Sequence, residues 1–411
     1  MRRVVITGVG AVTPVGNTAA ETWESLIAGR HGIGPVTRFD TAGMKATLAA
    51  EVKGFDPLLT MERGEVRKMD LYSQFAMAAA VEAMQDSGIQ GTVAPERLGV
   101  YVGSGIGGIQ TFSDEVWKLH EKGPRRVSPF FIPMMIANMA AGLIAIRFQA
   151  KGACLPVTTA CATSTNTVGE ALRAIRHGYA DAILAGGAEA AITPIGMAGF
   201  ANMTALYTGD DPDRASIPFD RERSGFVMGE GAGMLVLEEY EHAKARGANI
   251  YAELCGYGAT CDAYHMTAPS PEAEGGAAAL KLALDEAGVT AGEGLYINAH
   301  GTSTPANDGA ETLAIKKALG EEEAHKCLVS STKSMTGHML GAAGAVEAIV
   351  CALALRDGIV PPTVGLREPG EGCDLCYVPG TARKAEVRYA ASMSLGFGGH
   401  NACVALKRED V

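Results

Sequence analysis

The sequence predicts an α/β fold with largely buried sheets: short β-branched runs alternate with alanine-rich helical stretches, turn residues punctuate them, and 47% of the 411 residues are hydrophobic. That apolar content is ample for a large core.

In chain order, Val4 to Thr7 reads as a strand and Ala19 to Ala28 as a helix. Strands follow at Leu98 to Val102, Pro156 to Ala160 and Asp181 to Leu184, and Val168, Leu172 and Ile175 mark one face of a helix after Cys161. A charged helix over Glu238 to Asn249, ending at Gly247, precedes the strand-like Tyr251 to Leu254. We place the boundary between two halves there, 1–250 and 251–411. No Pro/Gly/Ser linker or charge block separates them, so they should share one body. Strands at Leu295 to Asn298 and Leu328 to Ser331, a helix from Gly341 to Arg356, and a last strand at Ala402 to Leu406 complete the pattern.

The formal net charge of -11 disfavours nucleic acid as a general partner, because a phosphate backbone requires a field of Lys and Arg. The long apolar stretch Ala342 to Leu355 contains Glu347 and falls short of a bilayer span. Met1-Arg2-Arg3 runs at once into a strand, too abruptly for a secretory signal. A cytoplasmic protein with no membrane insertion is expected. Nine cysteines, an odd number at irregular spacing, fit a reducing compartment. Cys373 and Cys376 form the one Cys-x-x-Cys pair; with no second pair and no following helix, chance adjacency is the better reading, and no metal is expected.

Cys161 falls at a strand-to-helix turn, where free amides and the positive end of the helix dipole favour thiolate over thiol. It is the nucleophile candidate; a buried structural thiol is the plain alternative. His300 ends the strand Leu295 to Ala299 and opens a loop before a helix begun by Asp308, with Glu311 three residues on as an acidic cap. His338 follows the loop Ser331 to Gly337 and precedes a nearly all-apolar helix. Two histidines at equivalent loop positions point to catalysis, against the alternative of surface or core imidazoles. Glu347 should be buried and needs a cation, for which Lys333 is the obvious partner. Even a purely stabilising pair would fix the loop that carries His338.

Taken together, Thr159-Ala160-Cys161, Asn298 to Thr304, Ser331 to His338 with Gly341-Ala342-Ala343-Gly344, and Gly396-Phe397-Gly398-Gly399 resemble the β-ketoacyl-acyl-carrier-protein synthases of the thiolase superfamily, from Val4 to Leu406. The runs Gly103 to Gly108 and Asp262 to Thr267 look most like the type II enzymes. The resemblance implies a thiolase-like fold: duplicated βαβαβαββ halves in a five-layer αβαβα body, normally a homodimer. It implies ping-pong condensation, in which Cys161 takes an acyl chain from acyl carrier protein and malonyl-carrier protein is decarboxylated beside His300 and His338. No cofactor is implied beyond the 4'-phosphopantetheine arm of the carrier protein.

By the same resemblance the amides of Cys161 and Phe397 hold the oxyanion and Phe397 gates the nucleophile. Thr302 and Thr304 meet the pantetheine arm, Ile106 and Phe200 line the acyl pocket, and Lys333 and Glu347 order the histidine loop. An acidic enzyme that binds acidic carrier proteins must focus positive charge near the pocket mouth, and Arg67, Lys68, Arg125 and Arg126 are the candidates. A solvated face is the alternative for these four. Met393, Leu395 and the pair Met203-Thr204 depart from the usual type II pattern.

Four readings compete. A thiolase needs a second catalytic cysteine where this chain has His338. A nucleotide oxidoreductase is suggested by Gly103, Gly105 and Gly108 after a strand, but no acidic residue follows to bind a ribose. A chain-length factor lacks the nucleophile. A polyketide-type ketosynthase remains the alternative whose active residues coincide with these.

Overall fold

The computed structural model describes residues 1–289, 292 and 294–409. Ten strands form one continuous sheet: β1 (Val4–Val12), β2 (Leu98–Gly103), β3 (Cys154–Leu155), β4 (Ala182–Glu189), β5 (Gly231–Glu239), β6 (Ala252–Cys261), β7 (Leu295–Asn298), β8 (Leu328–Ser330), β9 (Tyr389–Gly396) and β10 (His400–Lys407). Their order is β8-β7-β9-β10-β6-β1-β5-β4-β2-β3, which reads identically from each end once β1 is matched to β6 and β5 to β10. In each half the two outermost pairings are parallel and the inner ones antiparallel. The halves join through a short antiparallel ladder, Val5 opposite Glu253 and Ile6 opposite Ala252.

Seven of the longer helices surround the sheet and the site: α1 (Ala19–Ile27), α2 (Leu71–Ser87), α3 (Ile109–Lys122), α4 (Thr163–Arg176), α5 (Glu274–Ala287), α6 (Pro305–Leu319) and α7 (Ala343–Asp357). Helices α4 and α7 pack on each other and on strands of both halves, whereas α2 covers β1, β4 and β5, and α5 covers β6 and β10. The result is the five-layer αβαβα body with duplicated halves. Every residue of α7 from Ala343 to Leu355 is buried, which its nearly uniform alanine and aliphatic sequence permits.

Local departures have local causes. β1 and β4 run on through glycine-bearing sequence to Val12 and Glu189, because backbone pairing along β5 continues there. The strand expected over Pro156–Ala160 does not form; a two-residue strand, Cys154–Leu155, lies just before it, and Ala160 belongs to the turn that carries Cys161. Pro156 has no N–H to give a ladder, and Thr159 is held instead by side chains: its N–H donates to Thr163 Oγ1 at 2.9 Å, and its hydroxyl accepts from Asn166 at 2.8 Å. The charged helix expected from Glu238 is only Tyr240–Ala245. Glu238 stays in β5 because its buried carboxylate is bound by Thr7 at 2.8 Å and by Arg246 at 2.7 Å.

Candidate active site

Cys161 lies in a 3-10 turn, Ala160–Ala162, that feeds α4. The same motif recurs in the second half, where the turn Leu340–Ala342 feeds α7. Both turns open on a residue with positive φ, 50° at Ala160 and 49° at Leu340, a conformation that non-glycine residues hold only when their surroundings impose it. The duplication therefore sets Cys161 against Gly341.

His300 follows the end of β7. Its backbone N–H donates to Glu311 at 2.6 Å and the next N–H, of Gly301, to the other oxygen at 2.7 Å. The expected acidic cap is thus corrected. Thr304 caps α6, accepting from the Asn307 N–H, and Pro305 opens it. Asp308 and Glu311 instead point inward, wholly buried, and Asp308 accepts from the Phe219 N–H at 2.8 Å. Burial pushes Glu311 up to about 7.

His338 is zipped by its backbone to the segment before β5. Its N–H donates to Val227 at 2.7 Å, and its carbonyl accepts from Gly229 at 2.8 Å. The two imidazoles stand edge to face, centroids 5.2 Å apart at 87°. Burial first, and the Lys333 charge second, hold both well below the usual histidine range, so both are neutral at pH 7. Each Nδ1 is buried and has no partner among the described residues. An orphaned N–H costs more than an orphaned lone pair, so the proton belongs on Nε2, the nitrogen left to the cavity. Lys333 Nζ forms an ion pair with Glu347 Oε1, the two side chains 1% and 3% exposed.

Cys161, His300 and His338 line one cavity of about 600 Å³, shared with Phe397, Thr302, Thr304 and Phe200. The Phe397 N–H and the sulfur's own backbone N–H both reach Cys161. The thiol itself departs from the expectation of a resting thiolate. It packs among Ile192, Met197, Phe226 and Leu340, and burial pushes it up to about 12 despite the opposing charge of Lys333. Helix polarity does not offset the loss of water, and the resting form is the thiol.

An aromatic wall runs from Phe397 to His338, and its middle member, Phe226, is the one the sequence reading missed. The Phe397 and Phe200 centroids are 6.3 Å apart, those of Phe200 and Phe226 5.6 Å, and those of Phe226 and His338 5.2 Å. The glycine turn after Phe397 is pinned to the segment after β6. The Gly398 N–H donates to the Met266 carbonyl at 2.8 Å, and the Asp262 N–H to the Gly399 carbonyl at 2.9 Å. Met203, Thr204 and Leu395 stand on the cavity wall, and Met393 is buried behind it.

Ile106 lies outside this wall and is 39% exposed. Arg67, Lys68, Arg125 and Arg126 are all exposed; Lys68 Nζ sits 5.5 Å from the Phe130 ring, which brings the first pair beside the segment of the second. The amides of the Gly103–Gly108 run that could cradle a phosphate are taken by the buried carboxylate of Glu189, which accepts from Gly105 at 2.8 Å and Ile106 at 3.1 Å. A dinucleotide has no place there. Among the described residues, the group with metal-ligand spacing is Glu321, His325 and Asp374, exposed and already paired with Lys316; it includes neither Cys373 nor Cys376.

Comparison with known proteins agrees with this geometry. Residues 1–243 match the family described as Beta-ketoacyl synthase, N-terminal domain, and residues 251–367 its C-terminal domain. The chain is 51% identical to the 3-oxoacyl-[acyl-carrier-protein] synthase 2 of Synechocystis sp., over 99% of this chain and 98% of the relative. It is 52% identical to the protein of the same name from Vibrio cholerae, over 99% of each. A β-ketoacyl synthase crystal structure from Burkholderia phymatum superposes with a TM-score of 0.92 at 36% identity, over 99% of this chain and 100% of that one. A type II PKS ketosynthase in complex with its acyl-carrier protein superposes at 0.91 with 33% identity, over 99% of each. A buried thiol, two neutral imidazoles and a buried Lys–Glu pair, set in duplicated halves that match both domain families, place this chain in the β-ketoacyl synthase family.

Proposed function

We propose that the protein is a 3-oxoacyl-[acyl-carrier-protein] synthase of fatty acid elongation, an acyltransferase that joins a Cys161-bound acyl chain to the two-carbon unit of malonyl-carrier protein. The observation that carries this reading is the shared cavity of Cys161, His300 and His338, with both imidazoles neutral.

In the first step Cys161 attacks the acyl thioester, and its thiol proton ends on the departing carrier thiol, so the exchange is proton-neutral. The oxyanion between them accepts from the backbone N–H groups of Cys161 and Phe397. In the second step the malonyl carboxylate leaves as CO₂ and its electron pair passes into an enolate. The enolate oxygen accepts from the Nε2 protons of His300 and His338, which neutral imidazoles can donate without first gaining charge. The enolate carbon attacks the acyl thioester, the sulfur of Cys161 leaves, and one proton from water restores the thiol. Burial and the Lys333 charge keep the histidines neutral, and the pair of Lys333 with Glu347 fixes the loop that carries His338.

The substrate thioester arrives on the pantetheine arm of an acyl carrier protein, lying along Thr302 and Thr304, with Arg67, Lys68, Arg125 and Arg126 meeting the acidic carrier. No resident cofactor takes part. The chain works as halves 1–250 and 251–411 and as a homodimer. The edge strand Cys154–Leu155 and the exposed apolar side chains of α3 and its surroundings, Phe112, Val116, Trp117 at 69% and Ile132 at 53%, form the face a second copy covers. Ile106 lies three residues before α3, outside the cavity wall. All nine cysteines are free thiols, in keeping with a cytoplasmic protein, and among the described residues no helix is long and apolar enough to cross a membrane.

The test is product analysis with acyl- and malonyl-carrier proteins. Formation of 3-oxoacyl-carrier protein with one CO₂ per turnover, lost in Cys161→Ala, supports the reading. Repeated extension without intermediate release would assign the chain to polyketide assembly instead.

A further inference from the structure

The Cys161 turn has a duplicate in the second half, and an internal anion occupies it. Glu189, the last residue of β4, stands where the duplication places Gly396, the last residue of β9 and neighbour of the oxyanion donor Phe397. Its carboxylate is wholly buried. One oxygen accepts from Ser104 Oγ at 2.7 Å and the Ile106 N–H at 3.1 Å; the other accepts from the Gly105 N–H at 2.8 Å and the Gly341 N–H at 3.0 Å. Gly341 is the counterpart of Cys161, so an amide that would face an oxyanion in the first half faces a fixed carboxylate in the second.

We propose that Glu189 is a positioning residue of the condensation site: a built-in carboxylate that fills the second half's copy of the Cys161 turn and locks the segments behind Cys161 and His338 together. The proposal rests on the reading given above and deepens it. Gly341 lies three residues after His338, the turns Ala160–Ala162 and Leu340–Ala342 lie against each other, and Leu340 and Cys161 share one buried apolar cluster. Gly105 approaches the carbonyl of Ala160, which precedes Cys161; a Cβ on Gly105 would stand 3.5 Å from that carbonyl and 2.7 Å from the Glu189 carboxylate. A Cβ on Gly341 would meet the Gly105 amide nitrogen at 2.5 Å, so the turns touch with no room for side chains. Ser104 adds a third link, its carbonyl accepting from Thr158 at 3.3 Å. Four donors around one carboxylate, three from Ser104–Ile106 and one from the distant Gly341, form a clamp whose geometry depends on charge.

An amide cannot replace it. However the side chain of Glu189→Gln turns, its NH₂ faces one of the donor pairs, so two donors lose their acceptor while the volume is unchanged. The charge also reaches the nucleophile: Glu189 and Lys333 act on the thiol of Cys161 in opposite directions. The other titratable groups on the cavity are His300, His338 and Asp262, with Glu347 behind Lys333, and none of them changes in this variant.

The experiment uses full-length Glu189→Gln and Glu189→Ala beside the wild type, with two readouts. Condensation is measured with acyl- and malonyl-carrier proteins, and the rate of Cys161 alkylation by iodoacetamide is followed against pH. Glu189→Gln is expected to lower kcat by about tenfold or more with little change in the KM for carrier protein, and to shift alkylation to lower pH because a negative neighbour is gone. Formate is expected to restore Glu189→Ala, whose vacated hole keeps its donors, and to leave Glu189→Gln unchanged. Wild-type kcat and an unmoved alkylation profile in Glu189→Gln would overturn the proposal. So would parallel loss of activity and thermal stability with no formate rescue and no shift in profile, the signature of a scaffold residue. If the wild type itself does not condense, the condensation reading fails, and the alkylation profile still judges Glu189 separately.

Discussion

The rings of His300 and His338 stand edge to face, 5.2 Å apart, under the influence of one lysine that neither touches by hydrogen bond. Burial first, and the nearby Lys333 ammonium second, makes protonation of either ring unfavourable, so both stay neutral.

This neutrality sets the pH dependence. A histidine whose folded pKa is depressed stays neutral as pH falls through the ordinary value near 6.5 and charges only below its lowered one. Decarboxylation of malonyl-carrier protein, measured between about pH 5.5 and 8, is expected to show no inflection near 6.5. An inflection there would mean that one ring titrates as an ordinary histidine.

Lys333 and Glu347 supply a stability prediction. Lys333→Met leaves a buried carboxylate without its cation and is expected to cost about 3–5 kcal/mol by chemical denaturation. The double variant Lys333→Met, Glu347→Leu removes both charges and is expected to recover most of that loss. Equal destabilisation by single and double variants would show that the pair is not coupled.

Cys161 makes the third test. With its thiol pushed up to about 12, the rate of alkylation should climb about tenfold per pH unit through pH 8 and 9. A plateau below about pH 8.5 would show a thiolate at rest.

Glu311 holds two successive amides of the His300 loop with one carboxylate. Glu311→Gln keeps the shape and spoils one of the two acceptors, which costs about 1–3 kcal/mol. We expect kcat for condensation to fall by about tenfold or more, with Cys161 acylation little affected. Loss of acylation to the same extent would place Glu311 in the scaffold at large.

How much of this was legible depends on whether a residue's role is local. The alternation of β-branched and alanine-rich runs located β2, β7 and α7, because burial on both faces leaves continuous apolar sequence. Lys333 and Glu347 could be paired from sequence, since a lone carboxylate in an all-apolar helix demands a cation. Glu311 was visible but misassigned: three residues after Asp308, it has the spacing of a helix cap, and only the fold turns it toward His300. Glu189 and Phe226 carried no signal, as their partners come from segments tens of residues away. The thiol state of Cys161 was misjudged for the same reason. Helix polarity is a local property, whereas desolvation by Ile192, Met197 and Leu340 is a tertiary one.

At the proposed carrier-protein surface, Arg125→Glu with Arg126→Glu is expected to raise the KM for acyl-carrier protein and to weaken its salt dependence, leaving Cys161 alkylation unchanged. Unaltered kinetics would remove these arginines from the docking surface.

The most direct test of the central claim is intact-protein mass spectrometry after incubation with an acyl-carrier protein, followed by malonyl-carrier protein. The account predicts one acyl group per chain, carried on the Cys161 peptide and absent from Cys161→Ala, then discharged on malonyl addition as 3-oxoacyl-carrier protein. A chain that stays unmodified, or that carries the acyl group on another residue, would contradict it.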